Sequence, residues 1–171
     1  MIGLDIQQLN GRFWATPLTY RDAAGQVVTL NDAQVLVENQ PPEEHDETRP
    51  FVRWTVLPGP SRQVGISPAL FLHKGSAVLQ VFTPKGAGTA QAHDLAEALE
   101  SSFRQWRSDD RAVRIVGMER VSGPDRDLHQ LNVRLHYESR RAVQAVTPPV
   151  EQHTTSIDFA DHENSALLAM F

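Results

Sequence analysis

Ala77-Val78-Leu79-Gln80-Val81-Phe82-Thr83 runs into Pro84-Lys85-Gly86-Ala87-Gly88-Thr89 and then into the long stretch 90–107. These three pieces decide the fold class. The first is the most apolar run in the chain and reads as a strand central in its sheet. The third repeats Leu95, Leu99 and Phe103 every four residues, with Ala92 and Ala96 beside them and Trp106 one turn on. That spacing is the one-sided stripe of an amphipathic helix. The helix is expected over 89–107, with the Thr89 hydroxyl as N-cap and Ser108-Asp109-Asp110 as its end. A helix with one apolar face needs a sheet face to cover.

Strands lie on both sides of it. In Phe51-Val52-Arg53-Trp54-Thr55-Val56-Leu57, Val52, Trp54 and Val56 share the expected core face, and Pro58-Gly59-Pro60 is read as the stop. Residues 61–69 read as a loop, Leu70 to Lys74 as a strand, and Gly75-Ser76 as the next turn. Upstream, Leu4, Leu9 and Phe13 suit one face of a helix over 4–14, which Gly11 weakens and Pro17 closes. A small hairpin turns at Asp22 to Gly25, and residues 34–38 form a short strand. Residues 39–50 are acidic and proline-bounded, hence an exposed loop. Downstream, residues 112–118 form a strand and 123–127 a turn. From Leu128 to Ser139, Leu131, Val133, Leu135 and Tyr137 alternate with Asn132, Arg134, His136 and Glu138, so one face is wet.

The expected architecture is α+β: a mainly antiparallel sheet with helices packed on one face, plus an extended C-terminal arm. The domain should span 1–141, with the small hairpin around 20–30, and the arm 142–171. Thr147-Pro148-Pro149 reads as a linker within the arm. Its last residues, Ala166-Leu167-Leu168-Ala169-Met170-Phe171, carry no charge, which suggests docking on this domain or a neighbour.

With 171 residues, 40% of them hydrophobic and 22% charged, the chain can bury a core without a disulfide or metal staple. The absence of cysteine excludes a disulfide framework, a thiol nucleophile and cysteine-ligated zinc or iron–sulfur sites. The net charge of −5 tilts against a dedicated nucleic-acid binder. No apolar run approaches the ~20 residues of a membrane span. The first residues show neither a basic leader nor an apolar run, so the protein should be soluble where it is made.

Enzyme chemistry finds little support. The loop 84–89 invites a phosphate-loop reading, but Lys85 precedes the glycines and no Gly-Lys-Ser/Thr follows, so a tight strand-to-helix turn is favoured. His93 and Glu97 are four apart beside Asp94, without the second histidine of a zincin helix; a solvated helix face is favoured. His45 among Glu43, Glu44, Asp46 and Glu47 lies in a loop, where an acid–base pair is hard to hold. His153, Asp158, Asp161, His162 and Glu163 read as a hydrated tail. No Gly-x-Ser-x-Gly elbow and no Ser-His-Asp arrangement stand out. Catalytic residues, metal ligands and cofactors are therefore all expected to be none. Arg104, Arg107, Arg111, Arg114, Arg120, Arg134, Arg140 and Arg141 enrich the second half in arginine, which suits a subunit contact.

The segment from Val35 to about Arg104 carries a family pattern. It begins Val35-Leu36-Val37-Glu38-Asn39-Gln40-Pro41 and, after a polar loop, continues Pro50-Phe51-Val52-Arg53-Trp54-Thr55-Val56-Leu57-Pro58-Gly59. A hairpin arm follows, Gly75-Ser76-Ala77-Val78-Leu79-Gln80-Val81-Phe82-Thr83-Pro84. The pattern ends with Lys85-Gly86-Ala87-Gly88-Thr89-Ala90 and the helix from Asp94 to Arg104. It resembles the tail terminators of tailed bacteriophages, similar to the minor tail protein U of lambda-like phages. The strand around Leu131 to Tyr137 also fits. The hairpin at 20–30 and the length after Arg141 depart from the pattern.

The resemblance implies a structural virion protein of the tail and neck, assembled in the host cytoplasm. It implies a homo-oligomeric ring, usually a hexamer, that caps the tail tube, ends its polymerisation and joins the head connector. DNA would pass through the lumen without specific binding. Leu167, Leu168, Met170, Phe171, Arg104 and Arg107 are the expected contacts with neighbours. Two alternatives stand beside this reading: another neck or head–tail completion protein of the same fold, and a small nucleotide- or metal-dependent enzyme using the 84–89 loop.

Overall fold

A computed structural model describes residues 2–37, 46–65, 70–86, 89–124 and 128–142. In chain order the elements are α1 (Ile2–Trp14), β1 (Thr19–Arg21), β2 (Val27–Thr29), β3 (Val35–Val37), β4 (Phe51–Gln63), β5 (Leu70–Pro84), α2 (Ala90–Phe103), β6 (Val113–Ser122) and β7 (Leu128–Ala142). β1 and β2 form the small hairpin, and the other five strands form one sheet in the order β3-β4-β5-β7-β6. Among the described strands only the β3–β4 pair is parallel. The fold is α+β, as the sequence pattern implies.

β5 is the middle strand. It pairs with β7 along its full length, from Leu70 opposite Ala142 to Pro84 opposite Leu128. Ala77, Leu79, Val81 and Thr83 point from it into the core and are fully buried. Val52, Trp54 and Val56 of β4 lie on the same face, with Leu131, Val133, Leu135 and Tyr137 of β7. α2 closes this face with Ala92, Leu95, Ala96, Leu99 and Phe103, all buried. Phe13 of α1 stacks on Trp54 with ring centroids 4.4 Å apart, and Trp54 stacks on Phe103 at 5.9 Å. Three rings thus join α1, β4 and α2. The Trp54 Nε1–H donates to Asn10 Oδ1 at 2.8 Å, so the indole keeps a polar partner while its ring is buried.

Several local expectations are corrected. Pro58-Gly59-Pro60 does not stop the strand: β4 runs on to Gln63, with a register shift between Pro58 and Ser61. β3 pairs only Val52 to Trp54, so the rest of β4 is a sheet edge among the described strands, where proline at a bulge loses no needed donor. Gly75-Ser76 is not a turn but the middle of β5. A side chain at Gly75 would collide with the Tyr137 ring and the Leu57 carbonyl oxygen, so the glycine serves a close approach rather than a reversal. α2 stops at Phe103, because Arg104 is extended and Gln105 takes φ 58°. Trp106 still packs on the Phe103 ring, edge-on at 5.5 Å. Thr89 makes no cap bond, its own backbone being already helical. In α1, Leu4 faces solvent, and Asp5 takes the buried row with Leu9 and Phe13.

The opposite face of the sheet presents Arg53, Thr55 and Leu57 of β4, Ser76, Val78 and Gln80 of β5, and Arg134 and His136 of β7. All of these are exposed or half-exposed.

Candidate functional site

The strand-to-helix loop is a turn. Gly86 takes φ +89°, which only glycine adopts without strain, and Lys85 is exposed beside it. Residues 87 and 88 lie outside the described residues. On α2, His93 Nδ1 lies 3.3 Å from Arg120 Nη1, and the Asp94 carboxylate accepts the Arg21 backbone N–H at 2.9 Å. Two of the three helix-start candidates are thus already engaged in packing the β1–β2 hairpin and β6. Among the described residues, no three histidine, aspartate or glutamate side chains come together as a metal group. His45 and the cluster from His153 to Glu163 lie outside the described residues.

Two arrangements invisible in the sequence mimic a catalytic relay. On the open sheet face, Ser76 Oγ and His136 Nδ1 are 3.4 Å apart, and His136 Nε2 is 3.4 Å from Glu119 Oε1. Glu119 is also taken by Arg134 at 3.1 Å. Ser76 sits mid-strand between β4 and β7, where its backbone belongs to the ladder and offers no oxyanion-binding pair. On the core face, Ser139 and His73 are register partners, and both are buried with side chains that find no hydrogen-bond partner among the described residues. Asp5 is buried on the same face, but its Oδ1 accepts from Arg141 Nε at 2.6 Å. The first set is joined but sits on a mid-sheet strand, and the second is enclosed and unjoined among the described residues.

The arginines divide into two groups. Arg120 holds Glu100 through two N–H donors at 2.7 and 2.8 Å, Arg134 holds Glu119, Arg114 holds Glu138 at 3.0 Å, and Arg141 holds Asp5 and Asp110. Glu138 is held below the ordinary carboxylate range, mainly by the Arg114 hydrogen bond and then by Lys74. Arg104, Arg107, Arg111 and Arg140 are exposed and make no ion pair among the described residues. Leu167, Leu168, Met170 and Phe171 lie outside the described residues.

The sheet, α2 and the hairpin coincide with a family pattern. The model of a family described as phage tail terminator protein matches residues 20–137. The chain belongs to the phage tail terminator family. The match spans β1 through most of β7 and leaves out α1. One solved structure aligns with 64% of this chain and 81% of its own length, at 19% identity and a TM-score of 0.49. No curated protein matches the chain. Membership makes this tail terminator relative a structural component of a phage tail, and hence of the virion. No helix among the described residues is long and apolar enough to cross a membrane.

Proposed function

We propose that this chain forms a closed ring, a hexamer, that caps the finished tail tube, ends its polymerisation and presents the surface that meets the head connector. The family match over residues 20–137 carries this reading. The shape of the sheet supports it. A cyclic ring needs two different surfaces that meet and close. β3 and β6 stand at opposite edges of the sheet, and β6 carries Val116 and Val121 exposed. An exposed edge strand offers unpaired backbone groups for strand addition. The domain takes in 1–141, and residues 142–171 serve as the docking arm. Leu167, Leu168, Met170 and Phe171 on the arm, with Arg104 and Arg107 on the turn after α2, are the proposed contacts. DNA passes through the lumen without specific binding.

Light scattering with negative-stain imaging tests the reading. The expected result is a closed ring, or a monomer that becomes a ring on tail tubes. A stable monomer that ignores tail tubes would overturn it.

A further inference from the structure

The C-terminal end of β7, the start of β6 and the turn after α2 meet at one corner of the sheet. Arg114 lies opposite Glu138 in register, the Arg140 N–H donates to the Ala112 carbonyl at 3.0 Å, and Arg107 forms a backbone bridge with Arg114. Arg107, Arg111, Arg114 and Arg140 therefore line one hollow with Ala112 and Glu138. Among the described residues Glu138 is the single carboxylate lining it, and Arg114 and Lys74 already take it at 3.0 and 3.3 Å. Arg107, Arg111 and Arg140 are left without an ion pair among the described residues. Guanidinium groups gathered this way repel one another and suit a carboxylate or phosphate in a bidentate grip.

The chain itself supplies carboxylates beside this corner. Residues 143–171 contain Glu151, Asp158, Asp161 and Glu163 and no lysine or arginine, so they carry four of the five excess negative charges. β7 ends at Ala142, two residues beyond Arg140. Glu151 is nine residues further on, within an extended reach of ~30 Å. Tethering of this kind gives an effective concentration of order mM. We infer that the arginine corner holds the acidic stretch 151–163 of its own chain, and so sets where the apolar residues 166–171 are presented. Arg107 then serves the arm first, and Arg104 on the same turn is left to a neighbour. DNA is the weaker occupant, because the hollow has a carboxylate in its wall and the tethered acids compete for it.

The chain has no cysteine, so Ser156→Cys gives one site for a bimane dye, which tryptophan quenches at contact. Trp106 directly precedes Arg107. In the full chain at low salt, we expect quenching that disappears in Trp106→Phe. It should also disappear as salt approaches 1 M, where the Debye length is ~3 Å. The triple variant R107Q/R111N/R140Q should lose it; asparagine is chosen at 111 because φ is 57° there. E151Q/D158N/D161N/E163Q should lose it equally without touching the sheet. Excess unlabelled Trp106→Phe chain should leave it unchanged, since the quenching tryptophan belongs to the labelled chain itself. Quenching that is absent at low salt, or that survives both sets of substitutions, would overturn the proposal. Loss of quenching on mixing with excess unlabelled Trp106→Phe chain would assign the corner to a neighbour's segment, because the neighbour then lacks the quencher. Salt-sensitive binding of duplex DNA by the full chain, abolished in the arginine variant, with the dye unquenched throughout, would assign it to DNA. None of these readings depends on ring formation, so failure of the ring proposal remains separable.

Discussion

Arg141 ties three elements with one guanidinium. Nε donates to Asp5 Oδ1 on α1 at 2.6 Å, Nη1 to Asp110 Oδ2 at 2.9 Å, and Nη2 to Gln8 Oε1 at 3.0 Å. Asp5 is 1% exposed, so removing the arginine strands a buried charge. Arg141→Ala should cost about 3–5 kcal/mol in urea unfolding, and Arg141→Lys should not restore it, because an ammonium cannot reproduce the fork. Asp110 contributes a pH dependence. The Ser108 hydroxyl, followed by the Ala112 N–H, Gln8 and Arg141, holds its carboxyl far below the ordinary value of 3.8. The unfolded chain then takes up that proton first as pH falls. The stabilisation is present above about pH 4 and drains away below it. Asp110→Asn should flatten the acid limb of a stability–pH curve; an unchanged limb would rule this assignment out. Tyr137 shifts upward, chiefly through burial and further through the Asp5 charge.

At the scale of elements, α2 and β5 set the core. Leu99 is fully buried under the sheet, so Leu99→Ala should cost about 2–5 kcal/mol by loss of transfer energy and a residual cavity. Gly75→Ala tests whether β5 is continuous. In a turn the change would be mild or favourable. In a strand crossed by the Tyr137 ring, overpacking should cost about 1–3 kcal/mol, read as a lower melting temperature. The β1–β2 hairpin is held to the start of α2 by Asp94, which accepts the Arg21 N–H and lies 3.9 Å from the Arg21 guanidinium. That ion pair is largely exposed and contributes little.

For the whole molecule, the described helices α1 and α2 pack on one face of the sheet, and a basic corner sits at the C-terminal end of β7. Deleting residues 165–171 should weaken assembly more than folding of the single chain. Light scattering checks the first, and urea unfolding of the same deletion checks the second. An unchanged oligomer after the deletion would refute the docking role.

The chain's local spacing by itself determined the α+β class, the buried stripe of α2, the inward rows of β4 and β7, and the hairpin at 20–30. Side-chain direction follows backbone period, and period is written in neighbouring residues. The family pattern was legible for the same reason, being strand, turn and helix in sequence order. Only the tertiary structure decided that β4 runs through two prolines, that β5 runs through Gly75, and that Asp5 rather than Leu4 is buried. It also decided which four arginines are spent on carboxylates and which stay exposed without an ion pair among the described residues. Each of these outcomes rests on a partner remote in the chain. Asp5 meets Arg141 across 136 positions, and Gly75 meets Tyr137 from another strand. A buried charge or a proline in a strand is tolerated only because of what stands opposite, and a periodicity carries no record of that.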